Sequence, residues 1–474
     1  MAALALAPLL AVVAGAIAAL LLEAFLKRGD HELSATAAVV SLAAAAFFVV
    51  RAWPLEPASF GGRLFLDPLA LLLMGVFVVV AALVLLMSLA YAPRRSINLG
   101  QLAGLLLLAV SGLMIMVSSK DWLVVFLGLE VLSVASYAMA GLRRDDPASS
   151  EAAAKYFLMG SFAGAFFVFG LALVFGTTGD LGFAAGLPGS GAPGGPPLAA
   201  LVGLGLILAA LLFKIAVVPF HMWAPDVYDG APTPVTTFLT IAPKAAGLGV
   251  LIRVLTPLAA RGGGALYVQA LSLAAVLTMF FGNLAALRQT SVKRLLAYSA
   301  IAHSGYALIA VVAGDGPGLV FYLIAYAFMN AGAFGVLAAL SGQGEEHVRL
   351  SDLAGLGRRH PWLAASLAAF MFSLAGFPPT AGFLAKFYVF SAAVAKGYVL
   401  LAVAAVLASL ISVAYYLKVV VAMYMRDAEA EPVLEMENPA LFLVIFLCLL
   451  GVVQLGLWPG NLLVLIRQGL AGLF

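Results

Sequence analysis

The sequence is short of charge, cysteine and polar stretches. Only 10% of its 474 residues are Asp, Glu, Lys or Arg, and the formal net charge is +3. The basic residues come as short pairs rather than a patch, so no nucleic-acid surface is expected. The single cysteine, Cys448, excludes an internal disulfide and cannot supply the four ligands of an iron–sulfur cluster. No Walker loop and no GxGxxG follows a predicted strand, which argues against a bound nucleotide or flavin. The histidines and carboxylates lack metal-ligand spacing. No polar stretch is long enough to fold alone. What fills the chain instead is apolar: 64% hydrophobic residues and a mean hydropathy of +1.11. Apolar runs of about 20 residues recur from end to end, the length that crosses a bilayer as a helix. Dyad alternation with polar lumen positions, the mark of a membrane barrel, is missing.

The expectation is therefore an all-α integral membrane protein of about fourteen transmembrane helices. Ala2–Phe25 lacks a basic leader and a convincing cleavage site, so it reads as a retained first span. Basic residues set the orientation. Odd-numbered loops carry Lys27, Arg28, Arg94, Arg95, Arg143, Arg144, Arg288, Lys293, Arg294, Arg349, Arg358, Arg359 and Arg426. Even-numbered loops carry Arg63, Lys120, Arg261 and Lys396. Odd loops should be cytoplasmic, with both termini on the other side. The glycine- and proline-rich connection near Thr177–Pro197 reads as irregular.

Two spans look broken. Span seven runs through Lys214 to Pro219 and His221, and span twelve through Gly376, Pro378, Pro379 and Gly382 to Lys386. Proline removes a helix hydrogen bond and clashes with the preceding turn. Polar positions also repeat: Glu130 and His303 are 173 residues apart, Lys214 and Lys386 172, Lys244 and Lys418 174. A five-span unit used twice is inverted the second time, a transporter architecture. The expected division is a three-helix segment over 1–98, a first five-helix repeat over 99–258, a second, inverted one over 259–425, and a C-terminal helix over 426–474. Both breaks are expected at equivalent places in the repeat.

Glu130, Lys214, Lys244 and Lys386 lie in the middle of apolar runs. A charge in a bilayer core costs at least about 2.5–3.5 kcal/mol, so such residues face a bundle interior and mark an ion path. The plainer alternatives are a static ion pair for Glu130 and snorkelling for Lys214. His221 and His303 are candidate intermediates because histidine titrates near neutrality, and the repeat sets His303 against Glu130. Lys418 lies nearer a span end and reads more readily as snorkelling. Asp67, Asp121 and Lys293 sit at span ends, where caps and snorkelling explain them. Glu345, Glu346 and His347 are expected to be solvated in a loop. Asp226 and Asp229 are candidate proton gatherers at an entrance.

Four segments carry a family resemblance: Phe126–Ser133 (FLGLEVLS), Lys214–Tyr228 (KIAVVPFHMWAPDVY) with Ala231–Thr236 (APTPVT), Lys293–His303 (KRLLAYSAIAH) and Leu374–Pro379 (LAGFPP). Together they resemble the antiporter-like membrane subunits of respiratory complex I and of multisubunit cation/proton antiporters. Glu151–Phe162 and Asp352–Trp362 place the resemblance on the complex I side. The resemblance implies that Glu130 and Lys214 form a switching pair, Lys244 a central relay, His303 its continuation and Lys386 a terminal exchanger. It gives Lys418 no firm role. It also implies sibling antiporter-like subunits as partners in the lipid bilayer. NADH, flavin, iron–sulfur clusters and quinone would then sit in other subunits, with no cofactor in this chain. Three readings stay open: a proton-translocating subunit of a redox enzyme, a sodium/proton antiporter subunit, and a scaffold that conducts nothing. Buried titratable groups argue against the scaffold, because apolar packing would be cheaper.

Overall fold

Hydrophobic runs and caps divide the chain into helices nearly everywhere. The computed structural model describes residues 2–25, 32–53, 57–187, 197–260, 265–341, 346, 348–427, 438–471 and 473. Lys27, Arg28, Arg261, Glu345 and His347 lie outside the described residues. Helices α1 (Ala2–Phe25) and α2 (Glu32–Ala52) are followed by a hairpin, β1 (Ala58–Phe60) and β2 (Leu64–Leu66), in the register Ala58↔Leu66. Then come α3 (Pro68–Arg94), α4 (Leu99–Val117), α5 (Trp122–Ala140) and α6 (Pro147–Thr178). An interrupted span supplies α7 (Leu198–Lys214) and the short α8 (Ala224–Gly230). Next are α9 (Thr233–Ala260), α10 (Ala265–Leu287), α11 (Val292–Ala313), α12 (Gly316–Leu340) and the single turn α13 (Leu356–Arg359). A second interrupted span gives α14 (Pro361–Ala375) and α15 (Ala381–Ala395), before α16 (Val399–Met425), α17 (Pro439–Leu457) and α18 (Gly460–Leu470). Among the described residues, twelve helices are long and apolar enough to cross a membrane.

Side-chain caps fix several starts. Asp121 accepts from the N–H groups of Leu123 and Val124 at the start of α5, and Asn98 from Gln101 at the start of α4. The two breaks share one stop. At the end of α7, the Val217 N–H reaches Leu212 O and the Ala216 N–H reaches Phe213 O, both at 3.0 Å. At the end of α14, Phe377 reaches Phe372 O and Gly376 reaches Ser373 O, again at 3.0 Å. Both are Schellman closures, which need a left-handed residue. Gly376, at φ +93°, adopts it freely; Ala216, at φ +57°, does so at a cost of about 1–2 kcal/mol.

The expected equivalence of the breaks does not hold in sequence register. Pro219 and Pro379 are 160 residues apart, whereas Lys214 and Lys386 are 172 apart. Lys214 is the last residue of its first half-helix, whereas Lys386 lies in the second half-helix. The spacing of the lysines therefore does not align the breaks.

Packing separates centre from rim. Helices α9 and α11 are buried along nearly all of their membrane-crossing lengths. The outer helices bury one face and turn residues such as Leu10, Val40, Leu158, Phe162 and Leu410 outward, as lipid solvation requires. At one end lie the hairpin, the Ser118–Asp121 turn and the Asp67 cap, joined by Phe65 N–H to Ser118 O at 2.6 Å. The opposite end carries Arg95, Arg143, Lys293 and Arg294, the arginine-rich end. The expected C-terminal helix over 426–474 instead divides at Trp458–Pro459 into α17 and α18 among the described residues. Helix α18 is strongly amphipathic and buries Ile466 and Leu470.

Candidate functional site

Lys214, Lys244, His303 and Lys386 are 3–5% exposed. The helix that holds each determines its neighbours. Lys214 closes α7, and its Nζ donates to Ser133 Oγ at 2.9 Å and to the Tyr156 hydroxyl at 3.2 Å. It also lies over the rings of Tyr156 and Tyr137, at 5.2 and 5.9 Å. Ser133 is three residues after Glu130 on α5, hence on the same face. Glu130 itself is only half-buried, because α5 belongs to the rim. It faces α6 where glycine leaves room: a Cβ at Gly164 would come 2.9 Å from Glu130 Oε1. Glu130 and Lys214 are neighbours without a direct ion pair.

Two sets of contacts lie between Lys214 and Lys244, the second starting at the Ile215 carbonyl rather than at the Lys214 ammonium. One is aromatic: Tyr156 stacks on Trp223 at 4.5 Å, Trp223 meets Tyr228 edge-on at 5.4 Å, and Lys244 Nζ lies 5.8 Å from the Tyr228 ring centre. The other is hydrogen-bonded. The break in span seven frees the Ile215 carbonyl, which accepts from Ser304 Oγ at 2.7 Å. Ser304 also reaches Ala300 O at 3.2 Å, and Lys244 Nζ donates to that same carbonyl.

Helix α11 carries the line onward. His303 Nδ1 bonds the Tyr322 hydroxyl at 2.6 Å, and its Nε2 the Tyr416 hydroxyl at 3.3 Å. A neutral imidazole donates from one nitrogen and accepts at the other, so His303 bridges two phenols. Tyr306, 5.6 Å from the His303 ring, lies under Lys386 Nζ at 5.0 Å. Asn283 orders this region by donating to the Tyr306 hydroxyl and accepting from Tyr415, both at 2.9 Å. Lys386 reaches back across its break and donates to Leu374 O, Ala375 O and Ser409 Oγ, each at 2.9 Å. All three ammonium hydrogens are thus used, two of them at the C-terminal end of α14, where the helix dipole favours a cation.

Two candidates stay apart from this line. Lys418 Nζ donates to Gln289 O at 3.0 Å and Leu287 O at 3.5 Å, capping α10. His221 packs edge-on against Phe281 at 4.4 Å, and its Nδ1 is buried without a partner. Asp226 accepts from Lys155 and Arg294, both at 2.8 Å, and Asp229 lies 3.7 Å from Arg294.

Two buried pairs depart from the expectation of bland span-end charges. Arg253 of α9 forks onto Asp67, with Nη2 to Oδ1 at 2.8 Å and Nη1 to Oδ2, and also reaches Val117 O at 3.0 Å. Sequence reasoning passed over Arg253, although it too sits in an apolar run and gave the signal that singled out Lys244. Glu346 is not solvated. It folds inward, accepts from Lys293 at 2.8 Å and Thr233 at 3.1 Å, and takes a third bond from Tyr91. Burial pushes its carboxyl up, but Lys293 and the Tyr91 hydroxyl hold it below the usual carboxylate value. Among the described residues, no group of three or more His, Cys, Asp or Glu is placed to hold a metal.

The comparisons with known proteins agree in one direction. The family described as "NADH:quinone oxidoreductase/Mrp antiporter, TM" matches residues 119–412. The NADH-quinone oxidoreductase subunit N of Chloroflexus aggregans is 42% identical over 98% of this chain and 96% of its own. That of Trichlorobacter lovleyi is 42% identical over 88% and 86%. A chain of respiratory complex I from Thermus thermophilus superposes with a TM-score of 0.82 at 34% identity, covering 96% of this chain and 98% of its own. A chain of the Mrp complex from Dietzia has a TM-score of 0.82 at 22% identity over 100% and 98%, which speaks for the fold alone. This chain is a multi-pass membrane protein of the NADH:quinone oxidoreductase/Mrp antiporter family, and its full-length relatives are subunits N of NADH-quinone oxidoreductase.

Proposed function

We propose that this chain is the proton-translocating subunit N of an NADH:quinone oxidoreductase. The observation that carries the reading is the line of titratable side chains from Glu130 through Lys214, Lys244 and His303 to Lys386. It runs between two helices interrupted within the membrane. A scaffold would fill these positions with apolar side chains, since burying an ammonium costs several kcal/mol unless it is well paired.

Each residue has a task. Glu130 and Lys214 form a switching pair: approach of the two charges favours the ammonium, and separation releases its proton. Lys244 receives it at the centre. His303 passes it on by exchanging the roles of its two nitrogens between Tyr322 and Tyr416. Lys386 is the exit group, held at the end of α14. Moving one charge against 100 mV requires about 2.3 kcal/mol. One pKa unit is about 1.4 kcal/mol, so a change of about two units in a pairing is enough. Energy comes from NADH oxidation and quinone reduction in neighbouring subunits, which hold the flavin, the iron–sulfur clusters and the quinone.

The chain sits in a bacterial inner membrane among sibling antiporter-like subunits. Its arginine-rich end faces the cytoplasm by the positive-inside rule, and both termini lie on the opposite side. Residues 99–258 and 259–425 form the two half-channels. The test is a mild-detergent pull-down from native membranes. Co-purified NADH:quinone reductase activity supports the assignment. An assembly without flavin or iron–sulfur clusters transfers the chain to the cation/proton antiporters.

A further inference from the structure

Thr233, Thr237, Thr240 and Lys244 recur along α9 at spacings of four, three and four, which sets them on one helical stripe. The three threonines are fully buried. At the arginine-rich end the stripe begins on a loop carboxylate, because Thr233 Oγ1 donates to Glu346 Oε1 at 3.1 Å. Near its other end, Asn330 Nδ2 of α12 donates to Thr240 Oγ1 at 2.6 Å, one turn before Lys244.

Two further polar atoms belong to the same helix, α12. Asn330 Oδ1 is buried without a hydrogen-bond partner, and so is the Tyr326 hydroxyl one turn away on α12. Tyr326 lies 4.9 Å from the His303 ring. Buried polar atoms nearly always have a partner, whether protein or ordered water, and a bridging water takes two to four such atoms. Back-bonding explains part of the threonine pattern: Thr237 donates to Thr233 O and Thr240 to Thr236 O, both at 2.9 Å. It leaves the hydroxyl lone pairs free to accept. Nor does it explain a carboxylate at one end, a lysine at the other and an unpartnered amide oxygen between them.

We propose that this stripe is the uptake branch by which a proton from the arginine-rich side reaches Lys244, with Glu346 at its mouth. The inference rests on the relay reading of Lys244. The Glu346 carboxylate, whose side chain keeps 10% exposure, takes a proton at the arginine-rich end. The stripe spans about 16 Å at 1.5 Å per residue, so the proton is handed along hydroxyls and bridging waters. It ends on the lone pair of a neutral Lys244 amine, leaving a carboxylate at the mouth and an ammonium at the centre. Lys293, on the other oxygen of Glu346, restores the ionised carboxylate after each transfer.

The experiment uses the intact complex in native membrane vesicles, with NADH-driven proton translocation as the readout and the assembled amount as control. Thr240→Val, Thr240→Ser, Glu346→Gln and Glu130→Gln are compared. Thr240→Val should slow translocation about tenfold, equivalent to about 1.4 kcal/mol of barrier, while Thr240→Ser, which keeps the hydroxyl, stays near wild type. Normal translocation in Thr240→Val overturns the proposal, and so does equal impairment by Val and Ser, which would indicate packing. If Glu346→Gln fails to assemble, the Thr240 pair decides, because it leaves the Glu346–Lys293 pair intact. Impaired Glu130→Gln beside normal Thr240→Val removes only the uptake branch. Normal Glu130→Gln removes the relay reading beneath it.

Discussion

Lys214 Nζ donates to Ser133 Oγ at 2.9 Å, one turn beyond Glu130 on the same helix face. The serine thus holds one member of the proposed switching pair from the helix that carries the other. Ser133→Ala removes this hold and leaves both charges. Proton translocation should fall several-fold, less than in Glu130→Gln, with the assembled amount unchanged. Vesicle measurements on the two variants side by side check the order.

At the other end of the line, Lys386 satisfies three oxygens with three hydrogens, each at 2.9 Å. Arginine keeps the charge but presents a planar fork that does not release its proton. Lys386→Arg should therefore assemble and still lose translocation about tenfold or more, about 1.4 kcal/mol or more in barrier. A wild-type rate would show that charge alone is required at the end of α14.

Much of this arrangement was legible in the sequence. Apolar runs marked the spans, prolines marked both breaks, and Lys214, Lys244 and Lys386 stood out because charge is so rare here. The rest needed three dimensions. Glu346 lies in a loop, where a carboxylate ordinarily meets water, and only the fold brings it to Lys293 and Tyr91. The phenols of Tyr156, Tyr322 and Tyr416 look like ordinary aromatic filling until their hydroxyls are placed. The repeat offset aligned lysines whose breaks are offset differently, because Lys386 reaches back over its break from the far side. The division of α17 from α18 was hidden by an apolar face that continues past Pro459.

Arg253 and Asp67 form a buried, forked pair. Removing one partner of such a pair costs about 3–5 kcal/mol, because the other charge is left uncompensated. Arg253→Met should lower the melting temperature of the detergent-solubilised complex, and Asp67→Asn added to it should recover part of the loss. Purely additive losses would contradict the pairing.

Helices α4 and α5 meet through two glycines. A Cβ at Gly112 would lie 2.5 Å from Gly128 O and 2.6 Å from Leu132 N. Both are backbone atoms, which yield only if the helices separate. Gly112→Ala should destabilise the subunit by about 1–3 kcal/mol and displace Glu130, two residues beyond Gly128. Thermal unfolding and translocation should therefore decline together.

The Glu346 pairing also sets a pH dependence. Its carboxyl is held below the ordinary glutamate value in the folded protein, so the folded state binds this proton less readily than the unfolded one. The stabilisation is fully present above about pH 4.5 and is lost as pH falls through the lowered folded value. Between neutrality and moderately acidic pH, Glu346→Gln should be less stable than wild type, and the gap should narrow on further acidification. Melting curves across that range check the sign.

The most direct test of the proton line is Lys244→Met in the purified, intact complex reconstituted in liposomes, with proton translocation followed during NADH oxidation. Methionine keeps most of the side-chain volume and removes the titratable amine. The relay account expects translocation to collapse while NADH oxidation by an artificial electron acceptor is retained. Translocation at the wild-type rate would contradict the claim that protons pass through Lys244.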